Sequence, residues 1–286
     1  LELSDADIDR GGLKIVTTID KDAQAAAVKA VKEHRPTGRR TADLHIGLAS
    51  VQPGDGAIRA MYGGEKFGRG KYGYFNSAVD GKMQAGSTMK PFTMIAALRK
   101  GIPLYTTYSG ASPYYNRAFV YSGSDATPIQ RAGGIVNYGN SSYGPVNMRT
   151  ATQKSVNTYY AQLNLAVTPK STAASARDAG VIGWHGDKKV PLSDGPGNVF
   201  GTDSVRVIDM ANAYATIAAE GRRATPYYIS SVTSTGAYDI DYKVKKDVRR
   251  AFPQDVARDT IQAMSLVGQP GGTAYPIPAG AVYVDP

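Results

Sequence analysis

The length, composition and charge of this chain exclude several classes of function. It has 286 residues, a formal net charge of +9 and no cysteine, which excludes disulfides, thiolate nucleophiles and cysteine-ligated metals. Its three histidines, His34, His45 and His185, lack metal-binding spacing. The basic charge would suit nucleic acid, anionic lipid or anionic wall polymers, but no nucleic-acid-binding motif accompanies it. We therefore expect no metal, no cofactor and no nucleic-acid partner.

The first third of the chain predicts a linker followed by strands and a helix. In chain order, the predicted elements are a polar linker at 1–12, a strand at 13–19, a helix from Asp20 to about Lys32, strands at 44–52 and 56–62, and a glycine-rich basic loop at 63–73. Asp20 suits a helix N-cap because its carboxylate can accept from a free amide of the first turn. Pro53 and Gly54 supply the dihedral angles of a turn between the two strands.

The remainder predicts more helices, one further hairpin and a long irregular stretch. In chain order, these elements are a helix at 87–100, irregular structure at 101–147, a helix at 149–167, a helix capped by Asp203 or Ser204, a hairpin of 227–232 with 238–244, and a helix at 253–266. Helices and antiparallel hairpins are mixed without regular β-α alternation. This order favours an α+β layered fold over a doubly wound parallel sheet, and no apolar run approaches the ~18 residues of a membrane span.

A serine and a lysine three residues apart, Ser87 and Lys90, indicate nucleophilic chemistry. Side chains at i and i+3 share one face of a helix, and a lysine that has lost its proton can accept the hydroxyl proton of the serine. The helix dipole of a first turn disfavours a further positive charge and so favours a lowered lysine pKa. The structural alternative makes Ser87 a helix cap and Lys90 a surface charge. Because about one S-x-x-K match is expected by chance in a chain this long, the pair alone does not decide.

A second element, Ser155-Val156-Asn157, extends this pattern. S-x-x-K with such an element and a K-T-G is typical of penicillin-binding proteins and serine β-lactamases. The chain resembles the transpeptidase domain of class A (bifunctional) penicillin-binding proteins over nearly all its length. The matching blocks are LKIVTTID at 13–20, SVQPGDGAIRAMYGG at 50–64, FNSA at 75–78, AGSTMKPF at 85–92, YGPV at 143–146, ATQKSVNT at 151–158 and DMANAYAT at 209–216. Each block is modest alone, but their shared order is highly specific.

The resemblance implies a fold and a role for each matched residue. The fold would be that of penicillin-binding proteins and serine β-lactamases, with an antiparallel sheet flanked by helices, over residues 13–286. Ser87 would be the acylated nucleophile and Lys90 the general base. Ser155 would relay a proton to the leaving amine, and Asn157 would bind the substrate amide and orient Lys90. The Ser87 N–H would supply half of an oxyanion hole.

The resemblance also implies substrates, inhibitors and a cellular location. The substrates would be peptidoglycan stem peptides, with a D-Ala-D-Ala donor and an amine acceptor that becomes cross-linked. β-Lactams would be covalent inhibitors. This piece would be soluble and would work at the outer face of a bacterial cytoplasmic membrane. A membrane anchor and a glycosyltransferase domain would precede it in the native protein.

The family's third element, K-T-G, has no match in the sequence. GGTA at 271–274 resembles the segment before that element, whereas IPAG at 277–280 runs directly into AVYV at 281–284, which resembles a later strand. We therefore predict that the K-T-G segment is missing between 280 and 281. Three explanations stay open: residues of the protein that this sequence lacks, which we favour, an engineered deletion, or a natural inactive relative.

Other functions of the same fold also stay open. Class A β-lactamases deacylate with a glutamate, but no glutamate occurs in the sixty residues after Asn157, which argues for a long-lived acyl-enzyme. A D,D-carboxypeptidase would share every matched residue and differ only in its acceptor. A β-lactam sensor would acylate without turning over peptide, and an inactive scaffold would not acylate.

Overall fold

The computed structural model describes residues 8, 12–38, 41, 44–65, 68, 73–234 and 240–276. The strands are β1 Leu13–Thr17, β2 Leu48–Val51, β3 Ile58–Tyr62, β4 Lys82–Gln84, β5 Thr107–Ser109, β6 Tyr114–Tyr115, β7 Gly134–Ile135, β8 Pro145–Asn147, β9 Gly183–His185, β10 Lys188–Val190, β11 Ser204–Arg206, β12 Arg222–Ala224, β13 Ile229–Ser234, β14 Asp241–Lys243 and β15 Val248–Arg250. The α-helices are α1 Lys21–His34, α2 Lys90–Arg99, α3 Pro128–Arg131, α4 Met148–Gln153, α5 Asn157–Val167, α6 Pro169–Ala179, α7 Val207–Ala218 and α8 Gln254–Ser265. Short 3-10 helices include Gly86–Met89, Tyr138–Asn140 and Pro196–Phe200.

Three predicted features fall largely or wholly outside these ranges. The predicted linker at 1–12 is described only at residues 8 and 12, and the predicted gap between 280 and 281 lies outside the described residues. Most of the glycine-rich part of the loop at 63–73 lies outside them too. Within the described ranges, no helix has both the length and the apolar character needed to cross a membrane.

The chain divides into two compact units, and the first comprises the described residues up to Lys82 together with Arg206–Arg250. Strand β13 pairs antiparallel with both β1 and β14, and β12 pairs antiparallel with β15. The β2–β3 hairpin packs against α1 and α7. Gly56 in its turn has φ +87°, and a Cβ there would lie 2.4 Å from the Thr225 carbonyl oxygen. Only glycine fits this combination of positive φ and close backbone contact.

The second unit comprises Met83–Val205 and the described residues from Ala251 onward. It is built around α2, which packs against α4, α5, α6 and α8. Residues 90–97 of this helix are all buried. Its core includes Met94, Met148, Tyr159, Tyr160 and Leu163. A four-stranded sheet in the order β10-β9-β11-β4 and two small ribbons, β5–β8 and β6–β7, complete it. The helices packed around α2 therefore fix the position of its first turn.

Most elements predicted from local signals are present. Helix α1 begins after Asp20, whose carboxylate accepts from the Ala23 N–H at 2.8 Å. Both predicted hairpins pair antiparallel, and α8 begins after Pro253. These are positions where a cap or turn residue acts through neighbours in sequence, so the pattern alone was sufficient.

The single helix predicted at 149–167 is wrong, because the structure contains two helices there. Helix α4 ends at Gln153 and α5 begins at Asn157. Between them, Ser155 has φ +51°, in the left-handed region. This conformation cannot continue a right-handed helix, so Ser155 lies in a kink rather than on a helix face.

The predicted cap of the helix after residue 200 is also wrong. Residues Ser204–Arg206 form β11, and α7 begins at Val207 after Arg206, which provides no side-chain cap. The Asp203 carboxylate instead accepts from the Ser193 N–H at 3.2 Å. A contact ten residues away thus outweighs the local capping preference.

The buried hydroxyl of Thr158, in the first turn of α5, offers a stability test. Thr158 is 0% exposed, and its Oγ1 is the buried side-chain atom without a hydrogen-bond partner within the described part of the chain. An unsatisfied buried hydroxyl costs about 1–3 kcal/mol. We expect Thr158→Val to raise Tm by about 2–4 °C, measured by calorimetry.

A buried threonine that does have partners is the matched control. Thr152 Oγ1 donates to the Met148 carbonyl at 2.7 Å and lies 2.6 Å from Tyr160 Oη. Thr152→Val should therefore lower Tm. A drop in Tm for Thr158→Val of the same size would contradict the assignment of Thr158 as unsatisfied.

Candidate active site

The predicted nucleophile lies in a short 3-10 turn that leads into α2. This turn spans Gly86–Met89, and the Lys90 N–H donates to the Ser87 carbonyl. Residues three apart in a 3-10 helix are eclipsed, so the side chains of Ser87 and Lys90 leave the same face of the turn. Ser87 is exposed, whereas Lys90 is 3% exposed. The hydroxyl is therefore open to a substrate, and the amine is not.

A glycine distant in sequence supports this turn from behind. Gly201 ends the 3-10 helix Pro196–Phe200 with φ +66°, and its carbonyl accepts from the Gly86 N–H at 3.3 Å. A Cβ on Gly201 would lie 2.2 Å from Gly86 N and 2.4 Å from Gly86 O. The two backbones are therefore in direct contact, one residue before Ser87.

The buried Lys90 ammonium group is surrounded by oxygen acceptors. Lys90 Nζ donates to the Asn157 Oδ1 at 2.6 Å and to the Ser155 carbonyl at 2.8 Å, and it lies 2.9 Å from Ser155 Oγ. The ring of Tyr160 is 5.6 Å from Nζ. The structure thus brings together Lys90, Ser155 and Asn157, three residues that the sequence separates by up to 67 positions.

Burial is the main influence on the protonation of Lys90. Desolvation lowers the pKa of this amine from 10.5 to about 7, because a buried site disfavours the charged form. Desolvation alone accounts for the lowered pKa, without the helix dipole that we expected from the sequence to contribute. At neutral pH a substantial fraction of Lys90 is neutral and carries a lone pair that can accept a proton.

The left-handed conformation of Ser155 explains how one residue supplies two groups to Lys90. With φ +51°, its carbonyl and its hydroxyl both face Nζ. A non-glycine residue in this region costs about 1 kcal/mol or more. Such strain is typical of functional sites, where the surrounding structure holds a residue in an unfavourable conformation.

The orientation of the Asn157 amide is fixed by a backbone carbonyl. Asn157 Nδ2 donates to the Val136 carbonyl at 2.8 Å, which leaves Oδ1 directed at Lys90. In a flipped amide, Nδ2 would face the donor Lys90 Nζ and Oδ1 would face the acceptor carbonyl of Val136, so neither hydrogen bond could form. Val136 belongs to the stretch at 101–147, which the sequence predicted only as irregular structure near a binding cleft.

The hydrogen-bond geometry restricts what a neutral Lys90 can do. The carbonyl of Ser155 and Oδ1 of Asn157 can only accept, so they take the two N–H groups of a neutral amine. The lone pair then faces the hydroxyl of Ser155, which can donate to it. The arrangement can accept a proton from a serine and pass one to Ser155 Oγ, as acyl transfer requires.

Two contributors to this site were not among the predicted site residues. Gly201 carried no recognisable signal, because its contact with Gly86 depends on the tertiary fold. Val136 acts through its carbonyl, so its side chain gives no indication of the role. All four predicted residues lie in the second unit: Ser155 and Asn157 contact the Lys90 amine, and Ser87 lies one turn before Lys90.

An exposed serine one turn before a buried lysine of lowered pKa is the arrangement of lysine-dependent serine acyltransferases. The family model of the penicillin binding protein transpeptidase domain matches residues 47–283. The chain therefore belongs to this family.

Relatives and solved structures agree with this assignment. The chain is 34% identical over 233 residues, 78% of its length, to penicillin-binding protein 1A of Mycobacterium tuberculosis, and 31% identical over 93% of its length to penicillin-binding protein 1A of Mycolicibacterium smegmatis. A structure of the M. tuberculosis PonA1 protein in complex with penicillin V is 29% identical, with a TM-score of 0.72 over 93% of this chain and 67% of that chain. An imipenem acyl-enzyme of penicillin-binding protein A from M. tuberculosis, 20% identical, shares the fold with a TM-score of 0.73 over 96% of this chain and 68% of that one.

These matches bear on the predictions made from sequence. The resemblance to the transpeptidase domain of class A penicillin-binding proteins is confirmed, as is the α+β fold with helices and antiparallel sheets. The chain spans 26% and 32% of the length of the two mycobacterial relatives.

Proposed function

We propose that this chain is a serine D,D-transpeptidase that cross-links peptidoglycan stem peptides and is covalently inhibited by β-lactams. The observation that carries the proposal is the buried Lys90 amine, held by Ser155 and Asn157 one turn after the exposed Ser87. Membership of the transpeptidase family supplies the substrate class. The site would work outside the cytoplasm, where peptidoglycan is assembled.

Acylation begins with transfer of the Ser87 hydroxyl proton to the neutral Lys90 amine. Ser87 Oγ forms a bond to the carbonyl carbon of the penultimate D-alanine of a donor stem, or of a β-lactam ring. The Ser87 backbone N–H stabilises the developing oxyanion, a contribution of about 3 kcal/mol per donor. Asn157 holds the amine in place and binds the substrate amide.

Collapse of this intermediate needs a proton on the leaving nitrogen. Ser155 Oγ, 2.9 Å from Lys90 Nζ, gives its proton to that nitrogen and recovers one from the Lys90 ammonium group. The C–N bond breaks and terminal D-alanine leaves, or the β-lactam ring opens. The acyl-enzyme then transfers its acyl group to an amine of a neighbouring stem, and the same residues act in reverse.

A second function, β-lactam sensing or scaffolding, is favoured by the absence of K-T-G from the sequence. In the family that element binds the substrate carboxylate and its strand supplies the other oxyanion donor. A D,D-carboxypeptidase differs only in using water as acceptor.

We also propose that residues 13–286 belong to one transpeptidase domain within a membrane-anchored protein that carries a glycosyltransferase domain.

Mass spectrometry and product analysis separate these functions. The purified protein is incubated with benzylpenicillin for intact-mass measurement and peptide mapping, and with a D-Ala-D-Ala stem peptide plus an amine acceptor for chromatography. A transpeptidase gives an adduct on Ser87 and a cross-linked product. Hydrolysis alone indicates a carboxypeptidase, an adduct without peptide turnover indicates a sensor, and no adduct contradicts the proposal.

The contact behind the nucleophile turn gives a further prediction. A Cβ on Gly201 would overlap the Gly86 backbone, so Gly201→Ala must displace the turn that carries Ser87. Small displacements of reacting groups cost about a hundredfold in rate, and we expect a loss of about ten- to a hundredfold in the second-order rate of acylation. Stopped-flow acylation by a chromogenic β-lactam measures this.

Gly197 is the matched control for this change. It lies in the 3-10 helix that Gly201 ends, and a Cβ there would meet only the Thr202 side chain, with Cγ2 at 3.3 Å and Oγ1 at 3.8 Å. Gly197→Ala should acylate within about threefold of wild type, since it leaves the nucleophile turn in place. Equal rates for the two variants would mean that the Gly201 contact has no influence on Ser87.

A further inference from the structure

Two dipeptides far apart in sequence are joined by reciprocal asparagine hydrogen bonds beside the site. The side chain of Asn157 donates to the Val136 carbonyl at 2.8 Å. In the other direction, the Thr158 N–H donates to Asn137 Oδ1 at 3.0 Å. These two bonds hold residues 136–137 beside residues 157–158, and we call the pair of bonds the asparagine clasp.

Asn137 is itself held on every side. It is 4% exposed. Its Nδ2 donates to the carbonyls of Gly110, at 3.0 Å, and Ser141, at 2.9 Å, and its N–H donates to Ser112 Oγ at 3.1 Å. With Oδ1 bound to the Thr158 N–H, all the side-chain polar atoms of Asn137 have partners. A buried amide satisfied in this way rigidifies its surroundings.

Helix α5 needs a cap from outside its own sequence. Its N-cap residue is Val156, which has no side-chain hydrogen-bonding group and makes no cap bond. The first amides of a helix lack intrahelical partners, and here the Thr158 amide is buried. Asn137, 21 residues earlier in the chain, supplies the oxygen that an N-cap side chain normally provides.

We propose that Asn137 is a positioning residue for the Lys90 base and acts on it through Asn157. By fixing the start of α5 and the Val136 carbonyl together, Asn137 holds Asn157 so that its Oδ1 stays 2.6 Å from Lys90 Nζ. Because acylation is one of its readouts, the inference rests in part on the proposed function. A purely stabilising role for Asn137 is the alternative.

The alternative predicts a different result in a double-mutant cycle. If Asn137 works through Asn157, Asn137→Ala should slow β-lactam acylation by about ten- to a hundredfold in wild type, but by less than about threefold in an Asn157→Ala background. If Asn137 only stabilises the fold, its effect on acylation should be the same in both backgrounds.

Asn164 is the matched control on the same helix. It is 0% exposed, and its side chain also has three partners: the Pro196 carbonyl at 3.0 Å, Asn198 Oδ1 at 3.1 Å and Thr172 Oγ1 at 2.6 Å. Asn164→Ala removes as many buried hydrogen bonds but leaves the clasp intact. It should lower Tm as Asn137→Ala does, while acylation stays within about threefold of wild type.

A measurement by NMR tests the clasp without acylation. In wild type the side-chain amide protons of Asn157 and the backbone amide of Thr158 should exchange slowly with solvent. Asn137→Ala should speed both by at least about tenfold, because the clasp no longer protects them. Asn164→Ala should not. Where Asn137→Ala fails to fold, Asn137→Leu, which has a similar volume but removes the Oδ1 acceptor of the Thr158 N–H together with both Nδ2–H donors, carries the same cycle and the same exchange measurement.

The outcomes separate failure of this inference from failure of the proposed function. A wild-type protein that takes no β-lactam contradicts the proposed function, and the exchange rates then decide whether the clasp exists. The positioning role is overturned if wild type is acylated but the effects of the Asn137 and Asn157 substitutions on the rate simply add. It is also overturned if Asn137→Ala is acylated as fast as Asn164→Ala. Unchanged exchange at Asn157 and Thr158 in the Asn137 variant overturns the clasp itself.

Discussion

Replacing Ser87 by alanine is expected to abolish the covalent adduct with benzylpenicillin. We expect Ser87 Oγ to carry the acyl group, because this exposed hydroxyl lies one turn before the buried Lys90 amine, the base that we propose. The side chain is exposed, so its removal should leave Tm within about 1 °C of wild type, since surface changes away from packing usually cost under 0.5 kcal/mol. Intact-mass spectrometry after one hour with excess penicillin measures the adduct.

A serine elsewhere in the same unit provides the control. Ser265 Oγ donates to the Gln262 carbonyl in α8, far in sequence from the candidate site, and Ser265→Ala should label as wild type does. Persistent labelling of the Ser87 variant, mapped to any other residue, would contradict the assignment of the nucleophile. Loss of labelling in both variants would point to a general loss of structure.

The parts of the fold that were predicted correctly depend on near neighbours in the chain. Asp20 caps α1 through a residue three positions away, and the turn of the β2–β3 hairpin is specified by Pro53 and Gly54. The spacing of Ser87 and Lys90 likewise gave their shared face without any tertiary information. Local physics was sufficient in each case.

What the sequence did not predict depends on contacts between distant segments. The sequence around Ser155 is compatible with a continuous helix, because a serine gives no indication that its φ is positive. Gly201 contacts Gly86, and Asn137 contacts Thr158, at separations that no local pattern encodes. The four predicted site residues lie in recognisable motifs, whereas the residues that contact them are identified only in three dimensions.

Replacing Lys90 by methionine is expected to slow acylation by about a thousandfold or more, since a general base contributes about 10²–10⁴ in rate. Lys90→Arg is the matched control, because arginine keeps the positive charge and the donors but does not lose its proton in proteins. Both variants should be slow across the accessible pH range. A near-normal rate for the arginine variant would mean that charge, and not proton acceptance, is what the site requires.

The pH dependence of the wild-type protein tests the same role from the other side. Burial lowers the pKa of Lys90 from 10.5 to about 7, so the acylation rate should rise with pH, reach half its maximum near pH 7 and level off above about pH 8. Between pH 7 and 10.5 the unfolded chain binds more protons at this lysine than the folded one does. The stability of wild type relative to Lys90→Met should therefore be lowest below pH 7 and increase through that interval. A rate that rises only toward pH 10 would show that the amine keeps its ordinary pKa, and a lysine mostly protonated at neutral pH could not serve as the base.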